Sequence, residues 1–243
     1  MSVELHHEFE GPLQAPVMVL SNSLGTSLEM WDDLLPRLID GFRVLRYDQR
    51  GHGRSPVPEG PYSIELLGRD ALALLDRLGL ERVSFVGVSL GGMTGMWLAI
   101  NAPERIERLT LCSTSAYMPP REMWLERAAT VRAEGMAAVA DASIERWFTP
   151  EAEPERVERC RRGLLATDPE GYAGCCEAIA DHDLRARLDA IRAPTVVVSA
   201  SDDPSAPPEH GRLIADSIEG ARFALVESAR HLAVVERPEA IPL

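Results

Sequence analysis

One serine on a tight strand–turn–helix connection constrains this chain more than any other feature. Residues Gly87-Val88-Ser89-Leu90-Gly91 spell G-x-S-x-G. The apolar run Val83-Ser84-Phe85-Val86 leads in, and a helix-compatible run from Leu90 to Asn101 leads out. A strand must stop, turn and enter a helix within a few residues, which is the setting that a nucleophile elbow requires. The backbone is crowded at such a turn, and glycines two positions either side of Ser89 let the chain pass. The hydroxyl is left over the start of a helix, where free N–H groups and the positive end of the dipole face any developing anion.

Elsewhere, short β-rich runs alternate with helical patterns. Val17-Met18-Val19-Leu20 is continuously apolar, as expected of a strand buried on both faces. A helical segment is expected around Trp31 to Ile39, followed by a strand over Arg43-Val44-Leu45-Arg46-Tyr47. Ile64, Leu67, Ala71, Leu74, Leu75 and Leu78 recur at three- and four-residue steps, so this stretch reads as an amphipathic helix ending at Gly79. The elbow strand, the elbow helix and a strand over Leu109-Thr110-Leu111-Cys112 follow. This βαβα order implies an α/β fold with a mostly parallel sheet flanked by helices. After Tyr117 the rhythm breaks. Residues 119–193 hold no convincing strand, are rich in Arg, Glu and Ala, and read as several helices. Strand pattern resumes at Thr195-Val196-Val197-Val198, with a helix over 208–218 and a strand over Phe223-Ala224-Leu225-Val226. Residues 1–118 and 194–243 therefore read as the α/β core. Residues 119–193 read as an inserted helical lid, longer than a crossover needs.

The formal charge of -13 on 243 residues argues against nucleic acid or an anionic membrane as a partner. It also means that an anionic small substrate needs a local basic group. Cys112, Cys160, Cys175 and Cys176 show no metal-ligand spacing, and the adjacent pair does not suggest a disulfide framework. They read as reduced thiols of a cytoplasmic protein. The opening residues MSVELHHEFEG place acids and histidines where a signal peptide is apolar, and no run approaches the ~18 apolar residues of a membrane helix. No metal cluster, dinucleotide fingerprint or phosphate loop is evident, so neither a metal nor a cofactor is expected.

A serine hydroxyl is a poor nucleophile near neutral pH. It needs a positioned base, and the base needs an orienting acid. With a G-x-S-x-G elbow the chain order is nucleophile, acid, histidine. After the strand that follows the insertion comes Ser201-Asp202-Asp203-Pro204, and either aspartate is within reach. Asp203 is favoured, because the residue before a proline is pushed to extended geometry and sits at the loop crest. After the last strand comes Glu227-Ser228-Ala229-Arg230-His231-Leu232, which makes His231 the base. His6 and His7 lie near the N-terminus, His182 in the insertion and His210 on a surface helix. His52, in Gly51-His52-Gly53, lies at the same sheet edge and is a candidate pocket-lining residue. Acyl transfer also needs donors for the tetrahedral oxyanion. The Leu90 N–H, just past the nucleophile, is one. Leu24, in the loop Ser21-Asn22-Ser23-Leu24-Gly25-Thr26, is assigned as the other.

The stretches LSNSLGT, RVLRYDQRGHGRSP, FVGVSLGGM, ASDDPSAPPEHG and ESARHLAVVERPE resemble the α/β-hydrolase superfamily and, within it, the 3-oxoadipate enol-lactonases. The elbow and RGHG segments are superfamily-wide. The SNSLGT loop is more specific, since many relatives carry His-Gly where this chain has Asn22-Ser23. Glu122-Met123-Trp124-Leu125-Glu126-Arg127 and Arg132-Ala133-Glu134-Gly135-Met136 resemble the same branch. The resemblance implies Ser89 as nucleophile, Asp203 as acid, His231 as base, and Leu24 and Leu90 as oxyanion donors. It also implies a small anionic lactone as substrate, with a five-membered enol-lactone ring and a carboxymethyl arm. Trp124 and Arg127, three residues apart on one helix face, are the candidates to hold that arm. Relatives usually continue past Glu239-Ala240-Ile241-Pro242-Leu243 into a helix packed on the sheet. A general carboxylesterase, another lactonase or a cofactor-free perhydrolase would share every triad residue. A non-catalytic binding protein on the same scaffold would be expected to have lost one.

Overall fold

The structure is a computed structural model that describes residues 2–243. Seven strands form one sheet: β1 (His7–Glu10), β2 (Val17–Ser21), β3 (Arg43–Tyr47), β4 (Val83–Val88), β5 (Ile106–Cys112), β6 (Thr195–Ala200) and β7 (Arg222–Val226). Their order is β1-β3-β2-β4-β5-β6-β7, with β1 antiparallel to β3 and every other pairing parallel. Central β4 is buried along its whole length, as a strand covered on both faces must be. Its largely apolar run, with only Ser84 polar, follows from that cover.

Four helices belong to the core: α1 (Ile64–Arg77), α2 (Leu90–Asn101), α7 (Pro208–Ser217) and the single turn α8 (Ala233–Glu236). In α1, Ser63 caps the N-terminus by accepting the Leu66 N–H at 3.1 Å, and Ile64, Leu67, Ala71, Leu74 and Leu75 form the buried stripe. Helix α2 is buried almost all round and packs on β2, β4 and β5. The expected helix over Trp31 to Ile39 is instead two short 3₁₀ turns, Leu28–Trp31 and Leu35–Arg37. Pro36 sits inside this stretch, where its missing N–H and ring break an α-helical ladder. Strand β1 had no counterpart in the sequence pattern. It is a half-buried edge strand of mostly polar residues, paired on one side only.

Between β5 and β6 lie four helices: α3 (Arg121–Glu134), α4 (Ala137–Trp147), α5 (Pro154–Ala166) and α6 (Pro169–Ala180). Pro154 and Pro169 occupy first-turn positions, and Asp168 caps α6 by accepting the Glu170 N–H at 2.8 Å. Helices α3 and α6 pack on each other, and Arg132 of α3 pairs with Glu170 and Glu177 of α6. Two different kinds of contact join these helices to the core. At one edge Gly51 and Gly171 meet backbone to backbone. A Cβ on Gly51 would lie 2.4 Å from the Gly171 Cα, and one on Gly171 would lie 2.1 Å from the Gly51 carbonyl oxygen. At the other edge side-chain links add to main-chain bonds between the end of α4 and the loop after β7. Arg156 and Arg159 of α5 reach Asp33, and Thr149, just past α4, donates its N–H to the buried Glu236 carboxylate at 3.0 Å. Among the described residues no helix is long and apolar enough to cross a membrane.

Candidate active site

Ser89 follows β4 and stands at the N-terminus of α2 with φ 54° and ψ −112°. A non-glycine residue there is strained, and the surroundings must hold it in place. They do so on both sides. The Ser89 N–H donates to the Cys112 carbonyl at 2.9 Å, and the Ser89 carbonyl accepts from the Thr114 hydroxyl at 2.7 Å. The motif glycines answer to close packing: a Cβ on Gly91 would sit 2.1 Å from the Ser21 carbonyl oxygen, and one on Gly87 2.3 Å from that of Gly91. No larger residue fits between the elbow and β2.

Asp203 lies in the loop after β6, 3 % exposed. Its Oδ1 accepts the Ser205 N–H at 2.8 Å and the Ala206 N–H at 3.0 Å, while its Oδ2 lies 2.9 Å from His231 Nδ1. Burial works to raise the Asp203 carboxyl. The His231 imidazole and the two amides outweigh it and hold the group below the usual carboxylate range. With Nδ1–H directed at a carboxylate, a neutral imidazole keeps Nε2 open to receive a proton. The neighbouring Asp202 is exposed, and its N–H donates to the Ala229 carbonyl at 3.0 Å.

His231 is held from the insertion as well as from the core. The Leu232 N–H donates to the Trp147 carbonyl at 3.1 Å, and the His231 N–H reaches the Arg146 carbonyl at 3.5 Å. Glu236 joins the two segments, since one carboxylate oxygen accepts from Thr149 and the other accepts the Arg230 N–H at 3.0 Å. The C-terminal end of α4 and the histidine loop are therefore one unit.

Ser89 and His231 open on a common cavity, lined also by Leu24, Trp124, Arg127 and Arg146. Among the described residues no acceptor takes the Leu24 N–H, while the flanking amides of Ser23 and Gly25 donate to Met30 Sδ at 3.4 Å and His52 Nε2 at 2.9 Å. Leu90 is the first residue of α2, so its N–H has no acceptor within the helix. Arg127 lies over the Trp124 ring at 5.6 Å. Its guanidinium donates to the buried Ser143 hydroxyl at 3.3 Å, and that of Arg146 donates to the same oxygen at 3.2 Å. Among the described residues neither guanidinium has a carboxylate partner. Two like charges converging on one neutral oxygen form a site that favours an anion.

Sequence reasoning did not single out Arg146, Ser143 or Glu236. Ser143 and Arg146 are one helical turn apart on α4, but they meet Arg127 only through the packing of α3 and α4. His52, expected as a pocket-lining residue, is instead 2 % exposed and lies outside the cavity lining. Its ring is taken up by the Gly25 amide and by the Arg50 carbonyl. The specific Asn22 of the SNSLGT loop is also structural. It donates to the Tyr47 carbonyl at 2.8 Å and accepts from the Trp31 indole at 2.7 Å.

Comparison with known proteins places this architecture. The family model described as alpha/beta hydrolase fold matches residues 16–238. The 3-oxoadipate enol-lactonase 2 of Acinetobacter baylyi is 39% identical over 98% of this chain and 90% of that protein. The crystal structure of the enol-lactonase from Burkholderia xenovorans LB400 is 46% identical with a TM-score of 0.95, covering 98% of this chain and 93% of that one. A putative carbamate hydrolase RutD of Stutzerimonas stutzeri is 31% identical over 97% of this chain and 92% of that protein. The strained elbow and the parallel sheet thus have their counterpart in a recognised group of proteins, and this chain belongs to the α/β-hydrolase fold family.

Proposed function

We propose that this protein is a serine hydrolase that opens the ring of 3-oxoadipate enol-lactone to give 3-oxoadipate through an acyl-enzyme. One observation carries the reading: Ser89 and the Asp203-held His231 share a cavity with two guanidiniums that have no carboxylate partner among the described residues. Ester chemistry suits the first half of that arrangement, and a carboxylate-bearing substrate suits the second. The enol-lactonase relatives support the choice of lactone.

In this mechanism the Ser89 hydroxyl attacks the lactone carbonyl as its proton passes to His231 Nε2. The N–H groups of Leu24 and Leu90 hold the oxyanion of the tetrahedral intermediate. Collapse breaks the ring C–O bond, and the departing enolate takes the proton from His231. The resulting enol becomes a ketone, which draws the ring opening forward. Water activated by His231 then releases the acyl group from Ser89. Arg127, beside Trp124, binds the carboxylate arm and offsets the repulsion that a chain of charge -13 exerts on an anion. The chemistry calls for no metal or cofactor. Four free, buried cysteines support a reducing, cytoplasmic setting.

The direct test is to supply the enol-lactone and follow the decay of its ultraviolet absorbance. Simple aryl esters turned over as well as the lactone would replace this reading with a general carboxylesterase. Arg127→Ala should raise KM for the lactone about tenfold or more, in line with the roughly 1.5–3 kcal/mol of a charge-assisted hydrogen bond. The lactone's kcat/KM relative to that of neutral p-nitrophenyl acetate should fall by a similar factor. Equal losses on both substrates would show Arg127 holding the insertion together rather than reading charge.

A further inference from the structure

His52 is a buried titratable group that the mechanism above leaves unused. Both of its ring nitrogens are engaged. The Gly25 N–H donates to Nε2 at 2.9 Å, and Nδ1 lies 3.2 Å from the Arg50 carbonyl oxygen. An amide only donates, so Nε2 is the acceptor and the ring proton sits on Nδ1, directed at Arg50. Burial pushes the imidazole below its usual range and keeps it neutral, as this pair of bonds requires.

The far end of this strut is rigid. The Arg50 guanidinium pairs with Asp70 of α1, Nη2 to Oδ1 at 2.8 Å, and both side chains are buried. The same carboxylate oxygen accepts the Val3 N–H at 2.9 Å. The near end is the peptide that joins Leu24 to Gly25. On the other side of Leu24, the Ser23 carbonyl accepts from the Thr26 hydroxyl at 2.8 Å, and the Ser23 N–H meets Met30 Sδ. Both neighbours of Leu24 are tied, and the Leu24 N–H between them has no acceptor among the described residues.

We infer that His52 is a positioning residue of the oxyanion site: it locks the Leu24–Gly25 peptide so that the Leu24 N–H stays aimed into the cavity beside Ser89. This rests on the acyl-transfer reading of that cavity. His52 touches no substrate and acts only through Gly25. A neutral imidazole suits the task because it offers one acceptor and one donor on a stiff, flat ring. A residue that merely filled space would affect substrate and transition state alike. A residue that aims an oxyanion donor affects the transition state selectively.

The test compares two ketones that differ only in whether one methyl group is trifluorinated. A trifluoromethyl ketone adds the Ser89 oxygen to its carbonyl carbon, passes the serine proton to His231 and places an oxyanion in the hole. The corresponding methyl ketone binds without adding. His52→Leu should lower kcat for ester hydrolysis by about 10²-fold, the scale of losing one oxyanion donor. Affinity for the trifluoromethyl ketone should fall by the same factor, while affinity for the methyl ketone and KM change by no more than about twofold. His52→Gln, whose amide offers both an acceptor and a donor, should recover most of the loss. If His52→Leu does not fold, His52→Asn replaces it, because its side chain is too short to reach Gly25, and the same affinity ratio decides. Parallel weakening of both ketones, or full retention of the ratio, would overturn the assignment. A wild type that binds the two ketones alike would overturn the acyl-transfer reading itself, and the His52 assignment with it.

Discussion

Ser89→Ala is expected to remove about 10⁴-fold or more of the wild-type turnover, the scale seen when a triad nucleophile is lost. The elbow should survive the change. Its geometry rests on the Ser89 N–H and carbonyl, which bond the Cys112 carbonyl and the Thr114 hydroxyl, and on the packing of Gly87 and Gly91, none of which involves the Ser89 hydroxyl. Circular dichroism should therefore be unchanged while hydrolysis disappears. A fluorophosphonate should label the wild type at Ser89 and leave the variant unlabelled. A variant that keeps a tenth of the activity would sink the covalent mechanism.

Asp203→Asn should be almost as damaging, at roughly 10⁴-fold in kcat, while Asp202→Asn should stay within about threefold of wild type. The hydrogen bonds give the reason. The amides of Ser205 and Ala206 hold Oδ1, so an asparagine keeps its oxygen there and presents its NH₂ to His231 Nδ1. The ring must then accept at Nδ1 and carry its proton on Nε2, which is the wrong tautomer for a base. Asp202 is exposed and contributes to the loop through its backbone. Stability against pH offers an independent reading. The folded Asp203 carboxyl is held low, so its contribution is present above the unfolded carboxylate pKa of about 3.9 and is lost as pH falls through the folded value. Asp203→Asn should therefore lose less stability on acidification than the wild type.

What was legible in the sequence divides along physical lines. The elbow was legible because its constraints are local. One serine, two glycines, an apolar run and a helical run lie within a few residues of one another, and their steric demands leave few alternatives. The meeting of Asp203 and His231 was legible because the strand rhythm places their loops at one edge of the sheet. The error over Trp31 to Ile39 came from reading apolar spacing without weighing Pro36. Strand β1 was missed because a half-buried edge strand need not alternate cleanly. Arg146, Ser143 and Glu236 were illegible for another reason. Each sits in an ordinary position on its own element, and its partners come from segments far along the chain. His52 shows the reverse case: its place at the right sheet edge was correct, but the side chain turns inward to the Gly25 amide.

The Gly51–Gly171 contact also bears on how such a protein can change. Where two main chains touch, neither residue can gain even a methyl group, so no side-chain substitution adjusts the gap. The opposite edge shares main-chain bonds too, from Leu232 to Trp147, but it adds side-chain links, Thr149 to Glu236 and the α5 arginines to Asp33, and side chains can be shortened, lengthened or repaired one at a time. The four helices between β5 and β6 therefore meet the sheet along one fixed edge and one tunable edge. Under selection for bulkier esters, accepted changes should gather in α4 and α5, around Trp147 and Arg146, and spare positions 51 and 171. Deep mutational scanning with a series of lengthening acyl chains would map that asymmetry.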